Sequence, residues 1–178
     1  MTCSGVPQPS IPAMDRISVT GHLSIYRVDA RGRELVFADN NLITNTGLSF
    51  LPWILSNDLS TLNGSARNHD LAVQRMEIGS NAGSVPAITD TNSVATFVYA
   101  PPVEVNNEGG SPPAMSFGGY LPAAEGNDPA NPASTAWQLH EEALLLGNGV
   151  VFAKKVFSVY KNNTFGLYFR HKIQFVRA

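Results

Sequence analysis

His140-Glu141-Glu142 is the nearest the sequence comes to a cluster of metal ligands. Neighbours on a strand point to opposite faces, so at most His140 and Glu142 converge, and a solvated strand start is the plainer expectation. The other histidines, His22, His69 and His171, have no ligand spacing. His171 falls on the apolar face of the last predicted strand, which suits a hydrogen-bonded core or interface histidine better than a catalytic base. Gly79-Ser80-Asn81-Ala82-Gly83-Ser84 has the glycines of a phosphate loop. It lacks the Lys-Ser/Thr ending, and no helix-forming segment follows to supply an N-terminal dipole. Serines are plentiful, but no Gly-x-Ser-x-Gly elbow occurs, and Cys3 sits in a Pro-rich arm that cannot hold a thiolate in place. Any two of the 14 carboxylates can meet in space as a glycosidase pair, yet the shortage of charge argues against it. Asn63-Gly-Ser and Asn162-Asn-Thr read as glycosylation triplets only behind a secretory signal. The basic groups Lys154-Lys155 and Arg170-His171-Lys172 alternate between faces and so form no nucleic-acid groove. The expectation is therefore no catalytic residue, no cofactor site and no metal site.

Composition points the same way. The 178 residues suffice for one domain, and one of this size buries roughly 70% of its unfolded surface. Charged residues make up 15%, against about 25% in an ordinary globular chain. A net charge of -2 gives no electrostatic case for nucleic acid or anionic lipid. One cysteine excludes a disulfide framework. No apolar run nears the roughly 18 residues of a membrane helix, and no signal-peptide pattern opens the chain, so a soluble protein is expected.

The elements that would position these residues are strands. Ile17, Val19, Gly21, Leu23 and Ile25 alternate with Ser18, Thr20, His22, Ser24 and Tyr26, which reads as a half-buried strand. Asp29 to Gly32 reads as a turn, Glu34 to Ala38 as the partner strand, and Asp39-Asn40-Asn41 as the end of that hairpin. Asn45-Thr46-Gly47 caps a short helix carrying Leu48, Leu51 and Leu55, interrupted by Pro52. Leu71 to Ile78 and Val94 to Tyr99 read as strands. Ten of the 12 prolines fall in two clusters, Pro7 to Pro12 and Pro101 to Pro132. Proline fixes φ and removes a ladder donor, so an N-terminal arm (1–15) and a long Pro/Gly-rich loop (100–136) are expected, with Phe117, Tyr120 and Leu121 as anchors for the loop. A meander closes the chain: Glu141 to Leu146, a Gly147-Asn148-Gly149 turn, Val150 to Tyr160, then Phe165, Leu167, Phe169, Ile173 and Phe175 alternating with Tyr168, Arg170, Lys172 and Gln174. With no βαβ alternation, the fold class is all-β: an antiparallel sandwich or jelly-roll-like barrel with one short helix, and residues 16–178 forming a single domain.

Asn41-Leu42-Ile43-Thr44-Asn45-Thr46-Gly47, followed by an apolar helical turn, resembles small virion structural proteins of tailed bacteriophages. Ile78-Gly79, Pro86 and Asp90-Thr91 continue the resemblance, as do Glu142-Ala143-Leu144-Leu145, Val151-Phe152-Ala153-Lys154 and Val159-Tyr160-Lys161 near the end. These short motifs, in this order, span most of Ile17 to Ala178 outside the arm and the central loop. Pro52 and the long loop depart from the pattern. The resemblance implies a multicopy structural component of the virion, present in the host cytoplasm during assembly. A tail, baseplate or fibre-attachment position leads, with a capsid decoration or cement protein as the alternative. Its partners would be other virion proteins and copies of itself, with neither nucleic acid nor membrane. A carbohydrate- or receptor-binding module is the further alternative, with Trp53, Trp137, Tyr99 and Tyr120 as stacking platforms for a glycan.

Overall fold

The computed structural model describes residues 17–48, 72–80 and 94–177. The arm, Cys3, Trp53, Asn63, His69 and most of the 79–84 loop lie outside that set. Among the described residues the chain is antiparallel β-structure with one helical turn. Its elements are β1 (Ile17–Asp29), β2 (Gly32–Ile43), α1 (Asn45–Leu48), β3 (Val73–Gly79), β4 (Phe97–Tyr99), β5 (Glu104–Gly109), β6 (Ala114–Leu121), β7 (Gln138–Leu146), β8 (Val151–Tyr160) and β9 (Gly166–Arg177).

The strands form one sheet in the order β4-β3-β7-β8-β2-β1-β9-β6-β5. β2 is where that sheet folds over. Its residues from Gly32 to Asn41 pair with β1, whereas only Leu42 and Ile43 pair with β8, opposite Lys154 and Ala153. The β2-β1-β9-β6-β5 half therefore lies face to face with the β4-β3-β7-β8 half, as in a sandwich. Phe157 of β8 meets Phe37 of β2 and Phe169 of β9, with ring centroids 5.8 and 5.9 Å apart. Around them Leu23, Ile25, Met76, Ile78, Leu121, Leu139, Leu144, Leu167 and Ile173 are buried in one continuous core. Strand alternation explains the choice: Leu167, Phe169, His171 and Ile173 go inward while Arg170 and Lys172 stay on the outer face.

The first hairpin turns at Ala30-Arg31, where the Asp29 carboxylate accepts from the Arg31 backbone N–H at 2.8 Å. Its second strand runs past the expected end at Asp39-Asn40-Asn41 and reaches Ile43. Fusing the two halves of the sandwich needs that continuation, which the polar Asp-Asn-Asn triplet conceals.

The helix cap is Thr44, one residue earlier than expected. Its Oγ1 accepts from the Gly47 N–H at 2.9 Å and donates to the Val151 carbonyl at 2.6 Å, so one hydroxyl caps α1 and ties it to β8. Gly47 lies so close to the Phe152 backbone that no side chain fits there. Leu51, Pro52 and Leu55 are outside the described residues.

The expected loop over 100–136 is half wrong. β5 and β6 form a hairpin inside it, and β6 pairs along its whole length with β9. Pro101, Pro102, Pro112, Pro113 and Pro122 all sit at strand ends or in the turn, where no ladder donor is lost. Gly109 and Gly110, at φ of 59° and 85°, make that turn. Of the three expected anchors, Phe117 and Leu121 are buried and Tyr120 is exposed on the outer face. The residues 100–103 before β5 and the stretch between β6 and β7 remain loop.

Candidate functional site

Three groups of polar side chains are positioned by this fold. The deepest lies between the two halves. His171 of β9 is fully buried, and its Nδ1–H donates to the Glu142 carboxylate of β7, 3.1 and 3.0 Å from the two oxygens. The Asn41 amide of β2 meets the opposite ring nitrogen, Nε2. Gly21 of β1 faces Asn41 in register, and a Cβ there would collide with the amide. The arrangement is a carboxylate, an imidazole and an amide in line, with Asn41 Oδ1 buried and unpartnered. No hydroxyl or thiol among the described residues is bonded to this histidine, so the line holds no nucleophile for the imidazole to activate. It clips the halves together: β7 of one is bonded through β9 to β2 of the other.

Glu141 points the other way. Its Oε1 accepts from the Ala95 N–H at 2.7 Å and from Thr96 at 3.4 Å, and its Oε2 is 3.5 Å from Lys154 Nζ. Glu141 and Glu142 are both fully buried, which corrects the expected solvated strand start. A bulge between Leu139 and Glu141 turns His140 aside, and its Nδ1 reaches the Phe157 carbonyl at 3.3 Å. The His-Glu-Glu run thus sends its side chains to three separate destinations. Among the described residues, no three His, Cys, Asp or Glu side chains are grouped to hold a metal ion.

The second group surrounds Lys161, which is 1% exposed. Its ammonium donates to the Ala123 carbonyl at 3.0 Å, Asn127 Oδ1 at 2.8 Å and the Asn162 carbonyl at 2.8 Å. Burial pulls its pKa from the ordinary lysine value to about 8, although the Glu125 charge acts in the opposite direction. Trp137 donates its indole N–H to the Gly126 carbonyl at 3.1 Å. Together they fasten the 122–127 stretch to the end of β8. No local pattern marks Lys161, because two of its three partners lie 34 and 38 residues away.

The third group is on the outer face of β9 and its neighbours. Arg170 pairs with Glu108, and Lys172 Nζ lies 3.5 Å from the same carboxylate. The Ser116 hydroxyl and then Arg170 hold Glu108 below the usual carboxylate range. Lys155 donates to Asp39 at 2.6 Å, which lowers the Asp39 pKa. The two basic clusters of the sequence are therefore split up: Lys154 and Lys155 each have their own carboxylate, while Arg170 and Lys172 share Glu108. Of the aromatic residues named as sugar platforms, Trp53 lies outside the described residues, Tyr120 is exposed with its ring edge against Gly166, and Trp137 donates its indole N–H to Gly126. Asn162 uses its side chain to accept from Thr164 N–H at 3.0 Å, closing the β8–β9 turn.

What the fold leaves free is strand edge. Outside Leu42 and Ile43, β2 has no second partner among the described residues, and β8 beyond Lys154 has none on that side. Where the two strands splay apart there is a cavity of about 210 Å³, lined by Val36, Val159, Tyr160, Phe165, Leu167 and Arg27 among others. Leu35, Val36, Phe97, Val105, Met115, Tyr120 and Tyr160 are exposed. No known protein family, curated protein or solved structure matches the chain.

Proposed function

We propose that the chain is a non-enzymatic structural protein of a tailed bacteriophage particle, in a tail, baseplate or fibre-attachment position, acting through protein–protein interfaces. The observation that carries this reading is the distribution of its polar and apolar groups. The buried carboxylates and ammonium groups are spent on internal contacts: Glu142 on His171, Glu141 on Lys154 and the 95–96 backbone, Lys161 on three oxygens. Among the described residues the surface instead offers strand edges without a partner, of which the β2–β8 opening is bordered by exposed apolar side chains. Edges of this kind serve to add a neighbour's strand, and low charge suits the core of a lasting contact.

The bacteriophage part of the reading rests on the ordered motifs. The structure gives two of them a physical purpose: Thr44 and Gly47 join the end of β2 to β8, and Glu142 clips β7 to β9. A role in capsid decoration uses the same edges and is the alternative position. Introducing a stop codon into the gene tests the proposal. Arrested or incomplete particles, seen by negative-stain microscopy and restored by complementation, are expected. Normal particles of full infectivity would refute it.

A further inference from the structure

The cleft between β2 and β8 differs from the other free edges. β4 is three residues long, and β5 carries Glu104 and Glu108 with Asn106 and Asn107 between, a polar edge that resists strand addition. The β2–β8 cleft is apolar at its base, where Phe165 and Leu167 are buried, and aromatic at its rim, where Tyr160 is 57% exposed. A bulge in β2 at Val36, the one residue skipped between the Ile25–Phe37 and Tyr26–Leu35 pairs, turns that side chain toward the opening. Arg27 at the rim shares the Asp29 carboxylate, at 3.3 Å, with Arg31 and lies over the Phe165 ring at 4.4 Å. It already has an anion and an aromatic face as partners and does not demand an acidic occupant.

We infer that this cleft receives the Pro-rich segment Val6-Pro7-Gln8-Pro9-Ser10-Ile11-Pro12 of a second copy of the chain. The inference rests on the reading that the protein works through contacts between copies. The segment is uncharged and, in an extended conformation, places Pro7, Pro9 and Ile11 on one face and Val6, Gln8 and Ser10 on the other. Pyrrolidine rings against aromatic side chains are a recurrent mode of peptide recognition, and proline lowers the ordering cost because its φ is already set. Pro7 and Pro9 lack N–H groups on one edge, while Val6, Gln8 and Ser10 keep theirs on the other up to Pro12, which ends the run of donors. The segment can therefore line one strand edge without propagating the sheet further, which suits a cleft that ends an assembly contact.

Reach decides for a second copy over the same one. The cleft lies at the Arg27 end of β1, ten residues and roughly 33 Å from Ile17. Residues 7–12 precede Ile17 by five to ten residues, roughly 17–33 Å when fully extended. Reversing direction consumes part of that length, so the prolines fall short of their own chain's cleft.

The test is sedimentation equilibrium of the full chain, alone and in mixtures. The arm variant carries Pro7→Asp and Pro9→Asp. The cleft variants carry Tyr160→Asp or Val36→Asp, at exposed positions where circular dichroism is expected to report an unchanged fold. Wild type is expected to associate, and each variant alone to associate about tenfold or more weakly. An equimolar mixture of arm and cleft variants should regain discrete one-to-one pairs, since one supplies the intact cleft and the other the intact arm. Association of both variants at wild-type strength would overturn the arm–cleft contact while leaving the interface reading standing. Variants that remain monomeric in the mixture would overturn the exchange between copies. A wild type monomeric at all concentrations would overturn this inference; the particle reading would then still be decided by the stop-codon experiment.

Discussion

Gly21 shows how a single residue governs the contact between the two halves. It sits on the inward face of β1, in the alternation that also buries Leu23 and Ile25, and it is glycine because the Asn41 amide fills the space of its side chain. Gly21→Ala should displace Asn41 from His171 and cost about 1–3 kcal/mol, read by chemical denaturation. His171→Ala should cost about 2–4 kcal/mol, because it leaves the Glu142 carboxylate buried without its donor. The double variant should lose less than the sum of the two, since both act on one network; full additivity would mean that the residues are not coupled. Lys161 gives a pH prediction of definite sign. The folded chain releases its proton near pH 8, the unfolded chain only near the ordinary lysine value of about 10.4. Between those values the unfolded state binds more protons, so stability should rise with pH across that window relative to Lys161→Met, which cannot titrate. Parallel profiles for the two proteins would contradict the burial of the ammonium. Parity along the last strand was enough to place His171 inside; its partner Glu142 was hidden by a bulge at His140 that no residue pattern announces.

At the scale of elements, alternation made β1, β7, β8 and β9 legible, because each buries one face or both against the same core. Proline misled where it was counted and not placed. The cluster from Pro101 to Pro132 read as loop, yet β5 and β6 fit between its prolines, and the Gly118-Gly119 pair is inside β6. Those glycines are there for contact: the Tyr168 hydroxyl occupies the side-chain space of Gly118, and Met76 and Pro101 that of Gly119. Amide hydrogen exchange should find β6 among the protected strands, since it is paired on both sides, with the 122–136 stretch exchanging faster. Exchange of β6 as fast as that stretch would contradict the hairpin. Trp137→Phe removes the bond to Gly126 and should increase protease cutting between residues 122 and 136 without unfolding the sheet.

The described part of the molecule is a sheet folded on itself through two residue pairs, Leu42–Lys154 and Ile43–Ala153, with the Thr44 hydroxyl beside them. That joint was visible in the sequence only as a motif, Asn41 to Gly47, whose purpose became physical once β8 was seen against it. The open cleft was not legible at all, because it depends on where two distant strands stop pairing. Charge scarcity acquires its meaning at this scale: many of the charges present are paired within the fold, and the β2–β8 opening is left bordered by apolar side chains. The central claim is that such a molecule works as a built-in part of a particle. Quantitative mass spectrometry of gradient-purified particles, from the phage or prophage in which the proposal places the gene, tests it most directly. The account predicts the intact chain in a fixed, multiple copy number per particle, retained after a high-salt wash; its absence from intact infectious particles would contradict the account.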